Sequence, residues 1–393
     1  MIIRPARRLL ASLALALCTL PVLASPARAT MTWSGPPIAA STATAQACAD
    51  LLFVGVRGSA EPAPYGPTVT AVRDELARRT SDAPGDASLL VREVFLDYPA
   101  VSPETLGATG ADRLLFDPEM PPTQFFDSVR AGRGDLIDLL ADSGRRCPGE
   151  RWVIAGFSQG AQVVTEALAD RAVREDADDR LLGAVLLGNP ANGPASQGTN
   201  LAGDARPDAM GLSTSLHYIR ARIAGARQPD DAGGLGGALR AVVELSEGPL
   251  DAALAERVLR SRGLAIDPVI AGRITQVCRA GDLICDSGPG LGRIVFAQAP
   301  LQDEVDRAQP IHLGYAELLE PAVRPTVDAV RGWAPSVHRA VPFWQRPEAP
   351  LAGAILLALV GTGAVVLVRR RTDRARPGSD PQADPTTGSG DRM

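Results

Sequence analysis

Short apolar runs alternate with stretches of helical period through the middle of the chain. Residues 51–56 are a continuous apolar run that predicts a strand buried on both faces. A helix is predicted over 69–79, a second strand over 90–96, a helix over 126–141 and a third strand over 152–155. A helix over 159–169, a strand over 181–187 and a short strand over 274–277 follow. The order β-α-β-α-β-α-β predicts an α/β fold, a three-layer sandwich with a central parallel sheet covered on both faces. Residues 191–272 break this rhythm. They hold two helical patterns, 237–245 and 250–262, and no clear strand, so they predict a helical cap inserted between sheet strands.

The two ends are patterned differently. Arg4, Arg7 and Arg8 precede an apolar run over 9–23, and Ala27-Arg28-Ala29 supplies small residues for cleavage, so 1–29 reads as a signal peptide. The Arg7-Arg8 pair leaves twin-arginine export open beside the general route. Residues 30–47, small and polar, read as a loose lead-in to the main domain, 48–333. The Pro-rich stretch 334–350 reads as a stalk. Residues 351–368 carry no charge over 18 positions, about 27 Å of helix, which predicts a transmembrane helix. Arg369, Arg370, Arg371, Arg374 and Arg376 follow it, placing the tail, 369–393, in the cytoplasm as a disordered segment. The expected location is the cell surface, with the main domain outside and anchored in the cytoplasmic membrane.

Composition narrows the class. A hydrophobic content of 45% supports a full core, and a net charge of −5 gives no reason to expect nucleic acid as a partner. Of five Cys, Cys18 lies in the signal peptide, leaving Cys48, Cys147, Cys278 and Cys285 for an oxidising compartment. Four Cys allow three pairings.

Candidate chemistry centres on Gly156-Phe157-Ser158-Gln159-Gly160, a Gly-x-Ser-x-Gly sequence between a predicted strand and a predicted helix. That context makes Ser158 the candidate nucleophile, exposed on a tight strand-to-helix turn. The order Ser, acid, His then asks for partners downstream. Among three histidines, His338 lies in the stalk and His217 precedes every attractive acid. His312, read as opening a late helical stretch, is therefore the candidate base. The candidate acid is Asp282, inside Cys278-Arg279-Ala280-Gly281-Asp282-Leu283-Ile284-Cys285, with Asp286 and Asp303 as alternatives. A Cys278–Cys285 bridge would close a tight loop around Asp282. Cys48–Cys147 would then close a loop of about 100 residues, worth up to roughly 4.7 kcal/mol on chain entropy. An oxyanion hole needs two preset donors: the N–H of Gln159, after the nucleophile, and Ser59 in the loop Val56-Arg57-Gly58-Ser59-Ala60-Glu61. A plain Gly-Ser turn is the competing reading of that loop.

These segments together resemble the cutinase family, including its membrane-anchored actinobacterial members. The resemblance runs over about residues 48–315 and rests on Arg57-Gly58-Ser59 with Glu61, on 156–161, on the Cys278–Asp282–Cys285 clamp and on His312. It implies an α/β-hydrolase fold, a Ser158–Asp282–His312 triad, an oxyanion hole from Ser59 and Gln159, and the same disulfide pairing. It also implies hydrolysis of carboxylic esters, with no cofactor and no metal. Two features depart from the family's compact plan: the 191–272 insertion and the long segment from Cys285 to His312. The expected substrates are fatty acyl esters such as envelope lipids. The alternatives are an acyltransferase or a serine peptidase using the same residues, or a surface protein that binds lipid or a partner. Oligomeric state does not follow from the sequence.

Overall fold

The computed structural model describes residues 29–81, 87–107, 109–194, 199–226 and 234–333. Nearly all of the predicted signal peptide falls outside these residues, as do the predicted stalk 334–350, the predicted spanning helix 351–368, the tail and His338. Among the described residues no helix is long and apolar enough to cross a membrane.

Among the described residues eight strands form one parallel sheet: β1 Ala29–Trp33, β2 Ile38–Ala39, β3 Leu51–Val56, β4 Ala87–Phe95, β5 Arg151–Phe157, β6 Leu181–Leu187, β7 Asn200–Ala202 and β8 Ile274–Val277. Their spatial order is β1-β4-β3-β5-β6-β8-β7, with β2 also on β4. The central strands are apolar throughout because both faces are covered. Successive side chains point to opposite faces, and the two faces fill separate cores. Leu52, Val54, Val56, Trp152 and Ile154 pack with helices α2 (Gln124–Arg146), α3 (Gln159–Leu168) and α4 (Arg171–Arg180). Leu51, Phe53, Val153, Ala155 and Phe157 pack with helices α1 (Gly66–Ser81) and α10 (Leu319–Trp333). This is the expected three-layer arrangement.

Three sequence expectations are corrected. The lead-in 30–47 is not loose, since β1 and β2 pair in parallel with β4 and Ala43 is wholly buried. Residues 191–272 do contain a strand, because β7 extends the sheet beside β8. Its described residues also hold four helices rather than two: a short one at Pro268–Ala271, and the longer α5 Leu212–Ala226, α6 Leu235–Glu247 and α7 Ala252–Ser261. The longer three bury their own apolar cluster of Met210, Tyr218, Ile223, Val242, Leu245 and Val258. The insertion is thus a small helical layer with its own core, as its length required. The chain then runs through α8 (Ser287–Phe296) and α9 (Leu301–Leu313) to α10. The disulfides join Cys48 to Cys147 and Cys278 to Cys285, as expected.

Candidate active site

The C-terminal ends of β3, β5, β6 and β8 bring the candidate residues together. Ser158 sits between β5 and α3 at φ 52° and ψ −121°. This left-handed backbone costs a non-glycine residue about 1–3 kcal/mol and persists only where its surroundings enforce it. The enforcement is visible. The Ser158 N–H donates to the Leu187 carbonyl at 2.9 Å, and the flanking glycines admit close backbone contact. A Cβ on Gly160 would lie 2.2 Å from the Val56 carbonyl oxygen, and one on Gly156 would lie 2.9 Å from the Ala161 Cα. The Gly-x-Ser-x-Gly spacing is therefore a packing requirement. It lets α3 start directly against the end of β3.

Next to the elbow lies the loop after β3. Arg57 ties it down, donating to the carbonyls of Glu61 (3.0 Å), Leu96 (2.9 Å) and Tyr98 (2.6 Å), while the Tyr98 hydroxyl donates back to the Arg57 carbonyl at 2.7 Å. Gly58 N–H donates to Glu61 Oε2 at 2.7 Å. Burial pushes the Glu61 carboxyl above the ordinary carboxylate range, partly offset by the Gly58 hydrogen bond and the nearby His312. The Ser59 hydroxyl is buried and without a hydrogen-bond partner. Gln159 opens α3, where backbone N–H groups have no partner inside the helix. Its side-chain amide is anchored by Ser128, Val101 and Phe125.

The candidate acid and the candidate base meet. Asp282 is wholly buried inside the loop closed by Cys278 and Cys285. Its Oδ2 lies 2.8 Å from His312 Nδ1 and also accepts the Tyr315 hydroxyl, while Oδ1 accepts the Ile284 N–H at 2.8 Å. His312 stacks on Phe157, the residue before Ser158, with ring centroids 4.8 Å apart. A Cβ on Gly188 would stand 2.6 Å from His312 Cε1, so only glycine leaves room for the ring there. Among the described contacts the Ser158 hydroxyl makes no hydrogen bond to His312. His312 stands in the last turn of α9 rather than opening a helix, a correction to the sequence reading.

Among the described hydrogen bonds the rival residues make none to Ser158 or His312, although the Asp286 N–H donates to the Asp282 carbonyl at 2.8 Å. Asp286 is buried and accepts the Gly281 N–H at 2.9 Å, and burial raises its carboxyl above the usual range. Asp303 is exposed on α9. His217 lies on α5 and accepts from Arg262 at 3.2 Å. Sequence reasoning missed Tyr315 and the clasp made by Arg57 and Tyr98. Tyr315 follows His312 by three residues, which was the available signal. Among the described residues no cluster of three or more His, Cys, Asp or Glu could hold a metal ion.

His217 carries a stability prediction. Burial first, then the charges of Arg262 and Arg220, hold its pKa down at about 3 against an ordinary 6.5. Between those values the unfolded chain binds more protons than the folded one. Stability from this residue is therefore complete above pH 6.5 and lost as pH falls toward about 3. Urea midpoints measured from pH 7 to pH 4 should fall less steeply in His217→Gln than in the parent; parallel curves would refute the assignment.

Comparison with known proteins bears on the whole arrangement. The cutinase family pattern matches residues 47–293, which includes Ser59, Ser158, Gln159 and Asp282 and stops short of His312. A cutinase of Botryotinia fuckeliana is 28% identical over 156 residues, 40% of this chain. The match spans 64% of that relative's length, a little under two thirds. Among solved structures, the catalytic core domain of acetyl xylan esterase from Trichoderma reesei is 15% identical, with a TM-score of 0.39 over 72% of this chain and 99% of that one. The Trichoderma reesei cutinase in complex with a phosphonate inhibitor is 17% identical, with a TM-score of 0.35 over 72% of this chain and 77% of that one. With its family pattern covering well over half of its length, the chain belongs to the cutinase family.

Proposed function

We propose that this protein is a serine esterase that hydrolyses carboxylic esters, with fatty acyl esters of the cell envelope as substrates. The observation that carries the reading is the Asp282–His312 pair beside a serine held in a left-handed elbow. In the proposed cycle His312 removes the Ser158 proton as the alkoxide attacks the ester carbonyl, and the N–H of Gln159 with Ser59 stabilises the oxyanion. The buried, unpartnered Ser59 hydroxyl suits that task. His312 then protonates the leaving alcohol, and water, activated by the same imidazole, releases the acid and restores Ser158. Asp282 fixes the imidazole tautomer and balances its charged form. Export and a membrane anchor rest on the terminal sequence patterns, and the two disulfides suit an oxidising compartment. The insertion, with its own core, is proposed as a cap that limits which esters reach Ser158.

Two experiments test this reading. The protein should hydrolyse p-nitrophenyl acyl esters over a series of chain lengths and leave the matching p-nitroanilides intact. Turnover of the anilides alone would indicate a peptidase instead. Tyr315→Phe removes one donor from the Asp282 carboxylate. Loss of a hydrogen bond to a charged group is expected to lower kcat by about tenfold, with KM unchanged because Tyr315 does not face substrate. An unaltered kcat would show that Tyr315 does not help position the pair.

A further inference from the structure

A cavity of about 350 Å³ opens between α2, α3 and the insertion, and shares no residue with Ser158, Asp282, His312, Ser59 or Gln159. Its size lies at the lower end of the range that holds small ligands. Gln162, one turn along α3 from Ser158, lines it and is 2% exposed. The amide of Gln162 donates to Glu166 Oε1 at 2.9 Å and to Ser213 Oγ at 3.2 Å, and the carboxylate contact fixes which end of the amide carries nitrogen. Its oxygen is left buried with no partner. A buried, unsatisfied acceptor costs about 1–3 kcal/mol, so the position calls for a donor from a ligand.

The other groups define that ligand. Arg262, on the rim, donates through Nε and Nη2 to His217 Nε2 at 3.2 Å, which leaves the imidazole proton on Nδ1. The rings of His217 and Phe126 lie on the wall with centroids 6.5 Å apart and planes tilted by 30°. The lining therefore combines an acceptor, a carboxyl, guanidinium donors and flat ring faces. An acyl chain would bury Gln162 and Glu166 against hydrocarbon with no compensation. An anion would meet the Gln162 oxygen and the Glu166 carboxyl, and a cation would meet Arg262 and Arg130. A neutral molecule rich in hydroxyls satisfies all of them. We propose that this cavity binds a neutral polyhydroxylated molecule, of the glycerol or sugar kind, through Gln162, Glu166 and Arg262.

Saturation-transfer NMR on the full chain tests this, with glucose and glycerol as probes and sodium octanoate and sodium phosphate as contrasts. Glucose or glycerol should bind saturably, and Gln162→Leu should weaken that binding by about tenfold, the loss of one buried hydrogen bond. Arg262→Gln, on the exposed rim, provides a second variant should the first not fold, and should also weaken binding. No saturable binding of either probe, equal binding in both folded variants, or preferential binding of octanoate or phosphate would overturn the assignment. Hydrolysis of p-nitrophenyl esters at saturating glucose then separates two sources of the hydroxyls. Inhibition marks the alcohol portion of an ester substrate, and unchanged rates mark a separate ligand.

Discussion

Replacing Ser158 with alanine is expected to lower ester hydrolysis by on the order of 10⁴- to 10⁶-fold. In the proposed cycle no acyl-enzyme can form without the hydroxyl, and His312 would have no nucleophile to deprotonate. Because Ser158, His312 and Asp282 are proposed to act as one unit, the losses should not add. Ser158→Ala combined with His312→Ala should be little worse than Ser158→Ala alone. The fold should survive, since the elbow is held by the Leu187 carbonyl and by the glycines rather than by the hydroxyl. A residual rate above that in water would come from Ser59 and Gln159 acting on a water attack. Full activity in Ser158→Ala would remove the proposed mechanism altogether.

Glu150→Ala should be the most destabilising single change outside the elbow. Glu150 and Arg92 form an ion pair beneath the sheet, with side-chain exposures of 0% and 2%. Arg92 donates to both carboxylate oxygens, at 2.6 and 2.7 Å, and Ser143 and the Ala49 N–H complete the set. Ser143 in turn accepts the Trp152 indole N–H at 3.0 Å. Removing the carboxylate strands a buried guanidinium that already has one nitrogen without a partner. A cost of about 3–5 kcal/mol follows, to be read from urea unfolding. The double variant Arg92→Met with Glu150→Leu should recover most of the loss, because the expense lies in the stranded charge rather than in the absence of the pair. A loss below about 1 kcal/mol for Glu150→Ala would show that the pair is hydrated.

The elbow was legible in the sequence because the residues that mark it are local. Gly156, Ser158 and Gly160 sit within five residues, between a strand and a helix whose periods are plain. Asp282 and His312 were legible by order and scarcity, and the short Cys278–Cys285 spacing marked the loop that holds the acid. What stayed hidden depends on partners far away in the chain. β1 pairs with β4, more than fifty residues on, and nothing in Thr30-Met31-Thr32 announces that edge. Arg92 and Glu93 interrupt a predicted strand, yet each is buried on its own face by a partner from another element, Glu150 for one and Arg73 for the other. α5 was missed because its first residues, Leu212-Ser213-Thr214-Ser215, favour turns over helix, and packing against α6 and α7 overrides that preference. α9 was hidden by Pro310, which falls two residues before His312 and reads as a break.

Ser158 is proposed here as a nucleophile served by His312 and Asp282. The most direct test is to treat the purified protein with a p-nitrophenyl alkylphosphonate and map the adduct by mass spectrometry. One phosphonyl group per chain is expected, carried on Ser158, with labelling slowed strongly in His312→Ala. Ester turnover by a protein whose Ser158 stays unlabelled, or labelling at equal rate in His312→Ala, would contradict it.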